Sequence, residues 1–335
     1  MQTEICITID TEFSIGGAFQ DPTRRSPIGP ARVLCEADGR ENGLGFLLDT
    51  FGEHGIAATF FVEALQGAYF GDAPMGGIIE RILAAGQDVQ LHLHPCWRYF
   101  HDPDWRNSLA RMAPNDDCDG RTAAEMQDII AEGIASLRRM GAPPPVALRT
   151  GNLRADSAVY AAMAACGLRV ASNIGAAVFL PREPELQLLG GRHWIGGVLE
   201  VPVLTYVQLP RWTGRPDRLL TITATSWQET ESLLWRARKQ SVETIVLLTH
   251  PFEFIKHSPG NPDDTHSNRI NQRRLERLCG FIATHPGDFT SRSFVQAAPR
   301  WLAAGAMDQP RLQAPLGAVL SRMCENKIND TFMAI

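Results

Sequence analysis

The chain has 335 residues, of which 44% are hydrophobic and 21% charged, and this composition is typical of a globular protein. A chain of this length can bury a large core without disulfides or metal staples. The 32 Lys and Arg residues against 37 Asp and Glu residues leave a net charge of −5. Nucleic-acid-binding domains are typically basic, so this balance excludes a nucleic-acid partner from the prediction.

The N-terminal residues and the cysteines indicate the compartment. The opening stretch MQTEICITIDTEF has neither the basic region nor the apolar run of a secretory signal. No stretch of about 18 apolar residues occurs, so no transmembrane segment is predicted. The seven cysteines show no CxxC spacing, and free thiols in a reducing compartment are therefore expected. Together these features predict a cytoplasmic protein.

Strand and helix patterns alternate along the chain. The predicted strands are 4–9, 56–62, 88–94, 146–149, 167–172, 199–204, 244–249 and 289–293. The predicted helices are 44–54, 78–85, 122–140, 156–166, 226–240 and 271–285. Thr122 and Glu125 have the spacing of a capping box at the start of one of these helices. Such alternation predicts an α/β fold with a parallel sheet, either open or closed into a barrel.

The sequence contains no internal repeat and no convincing interdomain linker. We therefore predict one domain over residues 1–298, with long rim loops near 13–42 and 96–121. Residues 299–335 are predicted to form a helical extension.

Two carboxylates follow the first predicted strand. Asp10 and Glu12 are two residues apart, so they point to the same side of the strand. In parallel α/β folds the carboxyl ends of the strands form the ligand face. A pair of carboxylates there suits a metal site with a base beside it. The ordinary alternative is that they cap a helix or belong to the loop that follows the strand.

Two histidines end the third predicted strand. His92 and His94 share a face and can bind one cation through their neutral imidazoles. The alternative is a pair of surface histidines, or one buried and one exposed. If they bind a metal, this end of the sheet carries the central part of an active site.

The same end of the sheet receives two further groups. His250 follows the apolar strand 244–249, and Arg149 ends strand 146–149, where it can pair with Asp10. A metal-assisted hydrolase uses a metal to polarise a carbonyl, a carboxylate as general base and a histidine as general acid.

The series of motifs resembles the polysaccharide deacetylase family, which has the NodB-homology fold and includes carbohydrate esterase family 4. The similar segments are 7–12, 55–62, 86–95, 147–151 and 247–250, in that order. The resemblance implies a distorted (β/α) barrel of the polysaccharide deacetylase type and an enzyme that removes N-acyl groups from amino sugars. It also implies one divalent metal ion, commonly zinc.

The resemblance also implies a role for each residue of the motifs. Asp10 would be the general base, Glu12, His92 and His94 the metal ligands, Arg149 the group that orients Asp10, and His250 the general acid. A carboxylate beside an arginine and a metal stays ionised. The backbone N–H groups of the turn that contains Gly151 and Asn152 could stabilise a tetrahedral oxyanion.

The chain departs from the family pattern in its histidine spacing. The two histidines are two residues apart, whereas the family pattern is His-x-x-x-His. The fourth residue after His92 is Cys96, a soft ligand that zinc accepts. We favour His94 as the third ligand after a shortened loop and keep Cys96 as the alternative.

Aromatic residues and arginines on the rim loops suggest how a substrate is held. Trp97, Trp105 and Trp212 could stack on a sugar ring, with ordinary packing as the alternative. The tryptophan motif that usually helps form the acetyl pocket is not evident near 170–173, which leaves the acyl group open. Arg24 and Arg25 could meet a phosphate, or simply lie exposed in their loop.

We therefore predict a hydrolase acting on a small-molecule, nucleotide-linked or lipid-linked amino sugar, such as a surface-glycan precursor. One alternative is a hydrolase of a small non-sugar amide. Another is a non-catalytic barrel that retains metal or sugar binding. The sequence leaves the oligomeric state open.

Overall fold

A computed structural model describes residues 2–208, 217–258 and 261–331. The strands are β1 (Thr3–Thr11), β2 (Glu36–Ala37), β3 (Arg40–Glu41), β4 (Ala58–Glu63), β5 (Asp88–Leu93), β6 (Ala147–Thr150), β7 (Val170–Ala171), β8 (His193–Ile195), β9 (Val198–Glu200), β10 (Thr205–Gln208), β11 (Asp217–Leu219), β12 (Thr244–Thr249), β13 (Ile255–Ser258), β14 (Asn261–Ser267), β15 (Phe289–Ser291) and β16 (Gln313–Ala314).

Helices pack around these strands. They are α1 (Ala31–Leu34), α2 (Leu44–His54), α3 (Gly67–Phe70), α4 (Ala73–Ala84), α5 (Trp105–Leu109), α6 (Ala123–Arg139), α7 (Ser157–Ala165), α8 (Trp227–Lys239), α9 (Arg269–Thr284), α10 (Phe294–Ala304) and α11 (Leu316–Thr331). Short 3₁₀ turns follow β5, β6 and β12 at Pro95–His101, Gly151–Leu153 and Pro251–Phe254. Within the described ranges, no helix is long and apolar enough to cross a bilayer.

The main sheet is parallel apart from one edge pair. Its order is β12-β1-β4-β5-β6-β7-β9-β8, and only β8 runs antiparallel to its neighbour among these pairs. The N–H of Leu204, just beyond β9, donates to the carbonyl of Val246 in β12, so the sheet curls back towards its first edge. The predicted α/β fold with a distorted barrel is therefore confirmed.

The strand β1 is paired along both of its edges in the main sheet. One of its edges pairs with β12, and the other pairs first with β15 and then with β4. Its side chains alternate between two apolar clusters. Ile5, Ile7 and Ile9 pack in the larger cluster with the helices, whereas Cys6 packs with the barrel-side residues Phe61 and Val246. Alternation then places Asp10 on the barrel side, at the carboxyl end of the strand.

Several predicted elements match the structure, and the differences have local causes. Helix α2 and strand β12 have the predicted bounds, and the Thr122 capping box is confirmed. Helix α4 begins at Ala73, five residues before the predicted start, with a proline in its first turn, where proline is tolerated. The predicted strand 199–204 is shorter, since Pro202 has no N–H to donate to a sheet.

The two segments with weak patterns also contain regular structure. The rim loop 96–121 includes most of a 3₁₀ turn and helix α5. The helical region near the C-terminus starts at Phe294, so α10 crosses the predicted boundary at 298, and α11 follows. The division into a domain and an extension stays a prediction.

Candidate metal and catalytic site

The carboxyl ends of five strands of the barrel meet at one place. The sheet register sets Glu63 opposite His92 and His92 opposite Arg149. Asp10 lies near the end of β1, and His250 directly follows β12. Residues that are far apart in the chain are therefore brought to one rim, as the alternation of strands and helices predicts.

Glu12, His92 and His94 form a compact group of potential metal ligands. The Oε2 atom of Glu12 lies 2.9 Å from Nε2 of His94 and 3.5 Å from Nε2 of His92. One ligand atom from each residue lies within 4.8 Å of the others. Burial disfavours a charged Glu12, but the charge and hydrogen bond of His94, with those of His92, outweigh it and hold the pKa of Glu12 well below its usual range. The carboxylate is therefore ionised, as a metal ligand must be.

The second nitrogen of each histidine ring is hydrogen-bonded to an oxygen. Nδ1 of His92 donates to the carbonyl of Arg149 at 2.9 Å, and Nδ1 of His94 lies 2.6 Å from Oδ2 of Asp116. A carbonyl only accepts, so a neutral His92 carries its proton on Nδ1 and has a lone pair on Nε2. Ligating histidines in proteins usually have such partners, which set the ring orientation and tautomer. The donor set therefore fits a divalent cation.

Cys96 groups with His94 and Asp116 rather than with Glu12 and His92. Its backbone N–H donates to Asp116 at 3.1 Å. Burial, with the nearby charge and hydrogen bond of Asp116, raises the pKa of the Cys96 thiol well above its usual range. The thiol is therefore protonated, and this geometry favours His94 over Cys96 as the partner of Glu12 and His92.

Arg149 and Asp10 form a buried ion pair inside the barrel. The guanidinium is fully buried, and its Nη1 donates to Asp10 at 2.8 Å and to the hydroxyl of Thr8 at 2.7 Å. Its other N–H groups reach the carbonyl and hydroxyl of Ser172 at 3.0 and 2.7 Å. The guanidinium also stacks over the ring of Phe61, 4.3 Å from its centroid. Arg149 can therefore hold the Asp10 carboxylate in one orientation.

His250 is paired with an acidic residue that the sequence analysis did not single out. Its Nδ1 lies 2.9 Å from Oε1 of Glu253, whose Oε2 accepts from the Thr249 hydroxyl at 2.7 Å. Burial lowers the pKa of His250, but the hydrogen bond and charge of Glu253, with the charges of Asp10 and Glu12, raise it to about 9. His250 is therefore protonated at neutral pH and can donate a proton.

The turn after β6 approaches His94 closely. A Cβ atom at position 151 would lie 2.5 Å from Nδ1 of His94, so only glycine fits there. Asn152 has a φ of 57°, and its side-chain amide donates to Asp116 at 3.3 Å. This turn brings its backbone N–H groups beside the candidate metal ligands.

A cavity of about 130 Å³ opens next to these residues. Its walls combine Glu12, His94, Cys96, Trp97 and Asp116 with four residues of the first rim loop, Phe13, Ser14, Ile15 and Arg32. A larger hollow of about 770 Å³ lies between α4 and the end of α6, away from the histidines. The chemistry of the lining residues therefore identifies the smaller cavity as the candidate site.

Two of the three tryptophans that were considered for sugar stacking are buried in the structure. Trp97 is 1% exposed, packs against Phe70 and Phe100, and also lines the cavity. Trp105 is also buried, which fits the packing alternative for both. A part for Trp97 in substrate binding stays a prediction. Trp212 lies outside the described residues.

The sequence analysis missed four acidic residues of the site. For two of them, no pattern in the neighbouring residues indicates the role. Asp116 lies in the loop without periodicity, and Glu200 is brought in from β9 to accept the N–H groups of Asn173 and Ile174. Glu253 could have been found from its spacing, three residues after His250. Glu63 could have been found from strand alternation, two residues after Phe61.

Glu63 is the least satisfied of these acids. Its Oε1 accepts the N–H of Leu65 at 2.7 Å, while its Oε2 is buried without a hydrogen-bond partner among the described residues. Burial raises the pKa of Glu63 well above its usual range, against the opposing charge of His94. Burial therefore favours the protonated form of this carboxyl, which lies beside the candidate metal ligands.

Comparison of the chain with protein-family models gives no match, and neither does comparison with curated proteins. Solved structures do match. A candidate polysaccharide deacetylase from Mycobacterium smegmatis is 16% identical, with a TM-score of 0.48 over 93% of this chain and 96% of its own. A family 4 carbohydrate esterase from Streptomyces lividans, solved with acetate, is 12% identical, with a TM-score of 0.42 over 92% and 98%.

A family 4 pseudoenzyme from Bacillus anthracis is a third neighbour, 12% identical, with a TM-score of 0.41 over 87% of this chain and 64% of its own. The neighbours carry the names of the family that the motifs resemble. Because identities and TM-scores are low, the functional proposal rests on the site residues themselves.

Proposed function

We propose that this chain is a divalent-metal-dependent hydrolase that removes an N-acyl group, with N-acetyl as the first candidate, from an amino sugar. The observation that carries the proposal is the orientation of the two histidines. Both Nδ1 atoms are paired with oxygens, so both Nε2 atoms are left to share a cation with Glu12. A site of two imidazoles and one carboxylate with an open position is typical of catalytic zinc.

Asp10 is proposed as the general base. A bound ion would polarise the amide carbonyl and lower the pKa of its water. Asp10 accepts a proton from the attacking water, and Arg149, 2.8 Å away, keeps this carboxylate ionised and aimed. The N–H groups of the turn at Gly151 and Asn152 would hydrogen-bond the oxyanion that forms as the water oxygen bonds to the carbonyl carbon.

His250 is proposed as the general acid. Its Nδ1 is held by Glu253, so Nε2 carries the proton that can be donated. As the C–N bond breaks, this proton passes to the leaving nitrogen, and the products are a carboxylic acid and an amine. The proposed substrate is a small-molecule, nucleotide-linked or lipid-linked amino sugar.

The proposal is tested with zinc-loaded protein and a panel of N-acyl amino sugars and non-sugar amides. Acid released from the sugars, and lost in Asp10→Asn at unchanged zinc content, supports it. Release from non-sugar amides alone identifies a different hydrolase. Absence of release from every compound by a zinc-loaded, folded chain favours the non-catalytic alternative.

A further inference from the structure

Arg32 lines the candidate cavity and has no acidic partner among the residues that the structure describes. It belongs to α1, in the first rim loop, is partly buried, and lines the cavity together with Glu12 and His94. Its Cζ atom lies 3.4 Å from the centroid of the Phe252 ring. Phe252 in turn packs on His250, with ring centroids 4.8 Å apart. Arg32 therefore packs against the segment that contains the proposed general acid.

The side chain of Arg32 differs from those of the well-buried arginines. Their guanidinium groups pair with carboxylates; these residues are Arg149, Arg192, Arg274 and Arg322. The guanidinium of Arg32, by contrast, has no hydrogen bond or ion pair with any residue in the described ranges. Stacking on Phe252 covers one face of the group, and its N–H donors lie in its plane. They remain available to a ligand.

The nearby carboxylates are engaged elsewhere. Glu253 uses its two oxygens for His250 and Thr249, and neither is within ion-pair distance of Arg32. Glu12 contacts the two candidate histidine ligands. Once Glu12 and the histidines hold a cation, the charge of Arg32 is left without an ion pair among the described residues, and its side chain lines the space where a substrate would lie.

We propose that Arg32 binds an anionic group of the substrate, a carboxylate or a phosphate ester, close to the acyl group that is hydrolysed. The inference rests on the proposed function, because it assumes that a sugar substrate occupies this cavity. The planar guanidinium matches both kinds of oxyanion with two parallel hydrogen bonds. Arg32 is thus a specificity residue, distinct from the exposed Arg24 and Arg25 of the same loop.

The test measures binding of three probes to the zinc-loaded full chain by calorimetry. They are N-acetylglucosamine, which is neutral, N-acetylmuramic acid, which carries a carboxylate, and N-acetylglucosamine 1-phosphate. We expect at least one charged probe to bind about tenfold to a hundredfold more tightly than the neutral one, as for hydrogen bonds to charged groups. The tighter charged probe identifies the kind of anion.

Arg32→Gln should lose this preference while its affinity for the neutral probe and its zinc content are unchanged. Arg24→Gln is the matched control and should keep the preference, because this arginine is exposed in the same loop. If Arg32→Gln does not fold, Arg32→Lys replaces it and should lower the preference about threefold or more, since lysine lacks the planar fork.

Equal affinity for charged and neutral probes, an equal loss in Arg24→Gln, an undiminished preference in the Arg32 variant, or no binding of any probe overturns the inference. Acetate release is measured in the same samples. A binding preference that depends on Arg32 without acetate release would count against the proposed function alone.

Discussion

Asp116 lies 2.6 Å from Nδ1 of His94 and on the opposite side of that ring from Glu12. The imidazole is thus held between two carboxylates, one on each nitrogen. Only the Glu12 side is shared with His92, so we propose that Asp116 orients His94 for metal binding.

Replacing Asp116 should therefore weaken metal binding without removing a ligand. We expect Asp116→Ala to lower zinc affinity about 10- to 100-fold, as for other partners of metal-ligating histidines. Competition with a chelator of known affinity measures the change. Asp119→Asn is the control, because Asp119 lies in the same loop and pairs with Arg154 instead. An unchanged affinity in Asp116→Ala would contradict this role.

The identity of the third ligand can be decided by three substitutions. His92→Ala and His94→Ala should each lower zinc occupancy sharply, whereas Cys96→Ser should keep it, because Cys96 faces Asp116. Elemental analysis gives the metal-to-chain ratio of each purified variant. Loss in Cys96→Ser with retention in His94→Ala would show that the cysteine is the ligand.

Asp10 and Glu12 should separate catalysis from metal binding. Asp10→Asn should depress turnover by about 10²–10⁴-fold, the usual contribution of a general base. Its zinc content should not change, because Glu12 and the two histidines remain. Glu12→Ala should lose the metal. Turnover and zinc content are measured on the same preparations, and full activity in Asp10→Asn would remove this residue from the proposed mechanism.

The alkaline limit of activity should follow His250. A general acid must be protonated, and the pKa of His250 is raised to about 9, so the rate should fall as the pH rises through that value. Glu253→Gln removes the charge that raises this pKa, while the opposing effect of burial remains. The protonated fraction of His250 at alkaline pH then decreases, and the basic limb of the kcat/KM profile moves to lower pH.

The control is Glu132→Gln, on the outer surface of α6, which should leave the pH of the basic limb unchanged. A limb that does not move in Glu253→Gln argues for another acid.

The close approach of Gly151 to His94 gives a further test. Gly151→Ala places a methyl group 2.5 Å from the ring, so the ring or the turn must shift. We expect the contact with Asp116 to be lost and zinc affinity to fall about tenfold or more. In Gly77→Ala the new methyl group meets no atom within 4 Å, and zinc binding should be unaffected. Calorimetric zinc titration compares the two variants. Equal affinities would show that the turn can shift away from His94 without weakening zinc binding.

Local patterns allowed much of this structure to be predicted. The bounds of α2 and the capping box at Thr122 depend on nearby residues, so a single sequence contains the information for them. The carboxyl ends of β1 and β5 were likewise predicted to within two residues, at 9 and 94 against Thr11 and Leu93 in the structure.

Partners in space were harder to predict. Asp116 reaches His94 from a loop with little periodicity, and Ser172 reaches Arg149 from a neighbouring strand. Such contacts depend on how the barrel closes rather than on spacing in the chain. The unpaired guanidinium of Arg32 was missed for the same reason, since only the folded chain shows that no carboxylate in the described ranges lies within ion-pair distance of it.

The position of β1 between β12 and β4 has a consequence for the order of folding. The hydroxyl of Thr8 donates to the carbonyl of Leu247, 239 residues away in the chain. Contacts of such long sequence separation close slowly, because their loop entropy is lost before any contact is gained. During synthesis, Asp10, both histidines and Arg149 all emerge while one edge of β1 still lacks its partner. Such an open edge can pair with another chain, so aggregation of the nascent protein is expected to end only when β12 docks.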